Sequence, residues 1–141
     1  HSLGNVIIRR AFAHGYPEGL GRIVMLAPPN SPSRYARKLK RNLIYKWLTG
    51  DSGQKLSDEQ FYRSLPLPNV EFGVIAGDKG QDVGFEVPND GLVAVEVTKL
   101  AGMKDFVVVH RTHTFIMNSK EVFLLCRRFL ESGRFTPPGE R

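Results

Sequence analysis

A chain of 141 residues is long enough for one domain with a single hydrophobic core. Its hydrophobic content of 41% and charged content of 24% are ordinary for a globular protein, which argues against disorder, and no apolar run approaches the length a helix needs to cross a bilayer. The net charge of +6 is local: residues 1–50 hold nine Lys/Arg against one acid, while the remainder hold eleven against thirteen, and the excess concentrates between Arg34 and Lys46.

The first residues, His1-Ser2-Leu3-Gly4, match the latter four-fifths of G-x-S-x-G, a motif in which serine sits on a sharp turn between a strand and a helix. Glycine flanks such a serine because the backbone there is strained and the next helix packs close. The competing reading of Ser2 is an ordinary helix N-cap. The chain opens on His rather than Met and inside a motif, so a fragment or a processed product is expected, and no compartment is assigned.

From Leu3 to His14 the apolar residues Leu3, Val6, Ile7, Ala11 and Phe12 recur near helical spacing, with Arg9 and Arg10 on the other side. Gly15, Tyr16 and Pro17 end this helix. Arg22 to Ala27 is a continuous apolar run too short for a helix, which predicts a buried parallel strand closed by Pro28-Pro29.

Asn30 to Pro68 reads as an insertion. Its first part, Ser33 to Leu48, places Tyr35, Leu39, Leu43, Lys46 and Trp47 near one face of a basic amphipathic helix. Such a helix suits packing on the body, covering a pocket, or meeting an anionic interface. A nucleic-acid role for the basic face has no recognition motif behind it beyond charge and is disfavoured. Ser57-Asp58-Glu59-Gln60 offers a second helix start.

Val70 to Ala76 predicts a second strand, Gly91 to Leu100 a short helix, and Phe106 to His110 a third strand with His113 just beyond its end. The final helix is expected from Asn118, with Glu121 completing a capping box, to Gly133, burying Val122, Leu125, Cys126 and Phe129. Cys126, the single cysteine, is expected as a small buried hydrophobe, and Thr136 to Gly139 as a disordered tail. The alternation of helices and strands predicts an α/β domain over residues 1–141, with a parallel sheet flanked by helices.

Loops at the carboxyl ends of parallel strands line one rim, where ligands bind. Ser2, Asp90 and His113 are all expected there, in the chain order Ser, Asp, His. Asp78 and Asp82 are rival acids and His110 a rival base. A metal site at His110-x-x-His113 is disfavoured, because residues three apart on a strand point to opposite faces and no third ligand is evident. His1 and His14 are expected to be solvated.

His1-Ser2-Leu3-Gly4, Asn89-Asp90-Gly91-Leu92-Val93 and Thr112-His113-Thr114-Phe115-Ile116-Met117, with Phe129-Leu130-x-x-Gly133-Arg134-Phe135, together resemble the C-terminal part of an α/β-hydrolase of the small bacterial lipase and esterase type. The resemblance covers nearly the whole chain. It implies three parallel strands with a cap-like insertion at about 30–68, and a serine ester hydrolase with Ser2 as nucleophile, His113 as base and then acid, and Asp90 orienting the imidazole. The Leu3 N–H would be one oxyanion donor, the substrate a small-molecule or lipid ester, and no cofactor or metal is called for. It further implies that the strand before Ser2 and the second oxyanion donor lie in a missing N-terminal half, which leaves the first strand with an open edge for that half or for self-association. The alternative is a non-catalytic α/β module that binds a partner through its basic helix or open edge.

Overall fold

The computed structural model describes residues 1–32, 59–80 and 87–137. Its elements are α1 (Leu3–Ala11), β1 (Ile23–Leu26), α2 (Glu59–Ser64), β2 (Phe72–Gly77), α3 (Val95–Thr98), β3 (Asp105–Val109), a 3-10 helix (His113–Asn118) and α4 (Lys120–Ser132). The expected basic helix at 33–48 lies outside the described residues, as do Asp82 and the end of the tail. The chain is of the α/β class: three parallel strands in the order β1-β2-β3, with helices against them.

Register runs from Ile23 opposite Phe72 to Leu26 opposite Ile75, and from Gly73 opposite Asp105 to Gly77 opposite Val109. All six residues of β2 are buried, as expected of a central parallel strand with both faces covered. Alternate side chains feed two cores. On one face Ile75 and Val109 pack with Val122, Phe129 and Phe135, supported by Val24, Val107, Leu125 and Cys126. On the other, Met25, Phe72 and Val74 meet Leu100, Met103 and Phe106. The Phe129 and Phe135 rings stack at 4.8 Å over Gly73, where a Cβ would come within 2.6 Å of either ring. A third cluster joins Val6 on α1 to Tyr62 and Leu65.

The amino ends of the strands are tied by charge. Glu71 pairs with Arg22 at 2.7 Å and also with Lys104, so residues just before β2, β1 and β3 are joined. Arg22 Nη1 donates to the carbonyls of Leu130 and Glu131, at the end of α4 where carbonyls lack helical partners.

Several boundaries differ from expectation. The helix after Asp90 is only Val95–Thr98, because Asp90 Oδ1 holds the preceding residues in a turn. α4 ends as predicted at Gly133, in the left-handed conformation with φ 76°, but no capping box forms at its start. Glu121 is drawn instead to Arg111 at 3.1 Å, and Ser119 Oγ accepts from Arg111 Nε. On α1 the expected faces are wrong in one respect. Asn5, Val6 and Arg9, spaced three and four apart and so on one side, are the buried residues, while Ile7 and Ile8 are exposed.

Candidate functional site

Ser2 lies immediately before α1 with φ 52° and ψ −133°, a conformation that costs a non-glycine residue about 1–3 kcal/mol. Its amide donates to the carbonyl of Leu26 at 2.9 Å, which sets the turn beside the carboxyl end of β1. Ser2 makes no side-chain cap bond to α1, so the N-cap reading does not hold. Its hydroxyl lies 2.8 Å from His113 Nε2 instead.

His113 opens the 3-10 helix that follows β3 and is buried. Its amide donates to the carbonyl of Asp90 at 2.9 Å, and its Nδ1 lies 2.7 Å from Asp90 Oδ2. Both main chain and side chain of Asp90 therefore hold the histidine. The acid is 2% exposed, and its other oxygen accepts from the amides of Leu92 and Val93 at 3.0 and 2.7 Å. The turn-forming and imidazole-orienting readings of Asp90 thus coexist on its two oxygens.

The loop carrying Asp90 is itself fixed by Asn89, whose Oδ1 accepts from the Gly91 amide and whose Nδ2 donates to the carbonyl of Val87. Asn89 also sits against Gly80, where any Cβ would strike its side chain. These bonds leave the carboxylate little freedom.

The donor directions follow from chemistry. An ionised carboxylate only accepts, so facing one His113 Nδ1 must be the donor; with the imidazole neutral, Nε2 then presents its lone pair to the Ser2 O–H. That arrangement can take the hydroxyl proton as the oxygen attacks an electrophile. At the head of α1, the amides of Gly4 and Asn5 bond to the carbonyls of His1 and Ser2. The Leu3 N–H belongs to the first turn, where amides have no intrahelical acceptor, and the helix dipole there favours negative charge.

The rival groups are placed elsewhere. Asp78 and His110 pair with each other at 2.9 Å, with His110 largely exposed, and neither joins the Ser2 cluster. His1 is exposed but not merely solvated: its ring lies 4.8 Å from that of His113, and its Nε2 donates to the His113 carbonyl at 3.1 Å. Only its place beside Ser2 in the motif could have signalled this. Gly77 was also missed. Added there, a Cβ would fall 2.5 Å from the Arg111 carbonyl and 2.9 Å from Asp90 Cβ, so the acid and base loops close over a bare backbone.

Comparison with models of known protein families, with curated proteins and with solved structures finds no match to this chain.

Proposed function

We propose that the chain carries the catalytic rim of a serine ester hydrolase of the α/β-hydrolase type. The observation that supports this most is the continuous relay from Ser2 Oγ to His113 Nε2 at 2.8 Å and from His113 Nδ1 to Asp90 Oδ2 at 2.7 Å, with Ser2 on a strained turn at the head of α1.

In the reaction, Ser2 Oγ attacks the ester carbonyl carbon while His113 Nε2 takes its proton. Asp90 stabilises the resulting imidazolium and remains ionised. The carbonyl oxygen becomes an oxyanion facing the Leu3 N–H. As the tetrahedral intermediate collapses, the C–O bond to the alcohol breaks and His113 returns the proton to that alcohol, leaving an acyl group on Ser2. Water then attacks the acyl carbon, giving its proton to His113. Collapse releases the carboxylic acid, and the proton returns to Ser2. Phe115 and Met117, exposed within four residues of His113, favour an ester with an apolar acyl group, lipids included.

The second oxyanion donor and a strand beside β1 are proposed to come from an N-terminal half of the protein or from a second copy. Among the described residues the only strand paired with β1 is β2. The amides of Ile23 and Ala27 point toward β2, whereas the carbonyl of Leu26 points to the opposite edge, where Ser2 already bonds to it. A segment leading into Ser2 would thus run alongside β1. This open edge is also what favours the second reading, a non-catalytic module that binds a partner strand.

A fluorophosphonate probe separates the readings. The expected result is a covalent adduct on Ser2, lost in Ser2→Ala and His113→Ala, with the chain alone or supplied with its N-terminal half. A Ser2 that stays unmodified in the whole protein, under conditions that label a control serine esterase, rules out the hydrolase.

A further inference from the structure

The largest fully buried side chain among the described residues is a cation outside the relay. Arg9 is 2% exposed, two turns along α1 from Ser2, and its guanidinium makes all its observed hydrogen bonds to neutral oxygens. Nε donates to the carbonyl of Pro66 at 3.0 Å, Nη2 to the carbonyl of Leu65 at 3.0 Å, and Nη1 to Asn30 Oδ1 at 3.2 Å. No carboxylate is paired with it among the described residues. A buried charge without a counter-ion is a poor way to gain stability, which calls for another reason to keep it.

That reason lies in what the three bonds join. Asn30 follows β1 at the start of the insertion, and Leu65-Pro66 close the insertion before β2. Asn30 in turn reaches the helix behind the acid loop: its Nδ2 donates to the carbonyl of Thr98 at 2.8 Å and its amide to that of Val97 at 3.0 Å. Helix α3 is itself tied to that loop, because the Val95 amide donates to the carbonyl of Pro88. A single line of polar contacts therefore runs from the helix headed by Ser2, through Arg9 and Asn30, to the segment carrying Asp90. A planar fork with several fixed donors can serve three acceptors at once, which a lysine ammonium on a flexible stem does less well.

We propose that Arg9 is a positioning residue: it locks the helix that aims Ser2 to the loop that presents Asp90, with Asn30 as the intermediate link. This rests on the hydrolase reading for its catalytic consequence but not for its structural one.

The test uses Arg9→Met, Arg9→Lys, Asn30→Ala and the double variant Arg9→Met/Asn30→Ala, read by amide hydrogen exchange and by ester hydrolysis. Exchange at the Ser2 amide, bonded to Leu26, is expected to quicken about tenfold or more in Arg9→Met, while the amides of β2 keep their protection. For hydrolysis of a p-nitrophenyl ester, kcat is expected to fall at least tenfold with KM within threefold. Arg9→Lys should recover only part, and the double variant should be no worse than the more damaged single one, since both cut one line. Unchanged Ser2 exchange, an equal rise throughout the sheet, or single-variant losses in kcat that multiply would each overturn the proposal. Should Arg9→Met not fold, Arg9→Lys and Asn30→Ala carry the same exchange measurement, and unchanged Ser2 exchange in both overturns it. If the wild-type protein hydrolyses no ester and Ser2 takes no probe, the hydrolase reading fails while the exchange result still decides the role of Arg9.

Discussion

Gly77 and Asp90 approach so closely that a methyl group on the glycine would sit 2.9 Å from the Asp90 Cβ, with the Arg111 carbonyl at 2.5 Å on its other side. Neither neighbour can yield freely, because Asp90 is held by Leu92, Val93 and His113, and Arg111 is the main chain leading to His113. Gly77→Ala is therefore expected to push the acid and base loops apart. The folded state should lose about 1–3 kcal/mol from overpacking, and turnover of an ester should fall at least tenfold. Urea unfolding and steady-state kinetics check both. A variant with normal turnover would show that the loops tolerate separation.

Asp90 performs two tasks with two oxygens, and substitution can divide them. Asp90→Asn keeps an oxygen for the Leu92 and Val93 amides, so stability should change little. Its amide N–H would face His113 Nδ1, which must then accept, placing the proton on Nε2 where Ser2 needs a lone pair. The expected loss in kcat is about 10³- to 10⁴-fold. Asp90→Ala removes both functions and should cost a further 1–3 kcal/mol or so of stability through unsatisfied buried amides. Equal stability loss in both variants would contradict this division.

The strands and the final helix with its Gly133 stop were legible because each depends on residue types whose meaning is local; the rim was legible too, but choosing Asp90 and His113 over Asp78, Asp82 and His110 leaned on the family resemblance. A run such as Phe72–Gly77 is apolar whatever surrounds it, and a parallel sheet brings its carboxyl ends together. What escaped depends on contacts distant in sequence. Arg9 faces inward because carbonyls 56 and 57 residues away await it, and nothing near Arg9 announces them. Ile7 pulled the inferred apolar stripe of α1 off its true face. Glu121 had the right spacing for a capping box, yet Arg111 from the preceding loop offered a charged partner. The Gly77 constraint likewise exists only once two loops converge.

The backbone at Ser2 carries its own prediction. At φ 52° a side chain is strained and glycine is not, so Ser2→Gly should be more stable than Ser2→Ala by about 1 kcal/mol, although both lack the hydroxyl. Equilibrium unfolding of the two variants gives the comparison directly. The wild-type serine is expected to lie near Ser2→Ala, since it keeps the strain and gains only a bond to His113. Stability conceded at the residue that would react, and recovered by removing it, is what a preorganised nucleophile requires. If Ser2→Gly is no more stable than Ser2→Ala, the turn is not under strain.

At the opposite end of the sheet, Glu71 links Arg22 and Lys104, and hydrogen bonds from first Lys104 and then Arg22 hold its carboxyl below the usual carboxylate range. The sign of the pH effect follows. A carboxylate whose pKa is lower in the folded than in the unfolded chain binds fewer protons when folded. Its contribution is thus complete above the ordinary carboxylate pKa and disappears as pH falls through the lowered folded value. Because the three side chains are partly solvated, the contribution is small and screened by salt. Glu71→Gln is expected to lower Tm by a few degrees at neutral pH and low ionic strength, and by less in molar salt. Wild type and variant should converge as pH drops below the carboxylate range. Loss of the carboxylate also frees Arg22, which caps α4 through Leu130 and Glu131, so the amides of β1 and of the last turn of α4 should exchange faster together. A Tm difference that persists unchanged at acid pH would assign the stabilising effect of Glu71 to packing rather than charge.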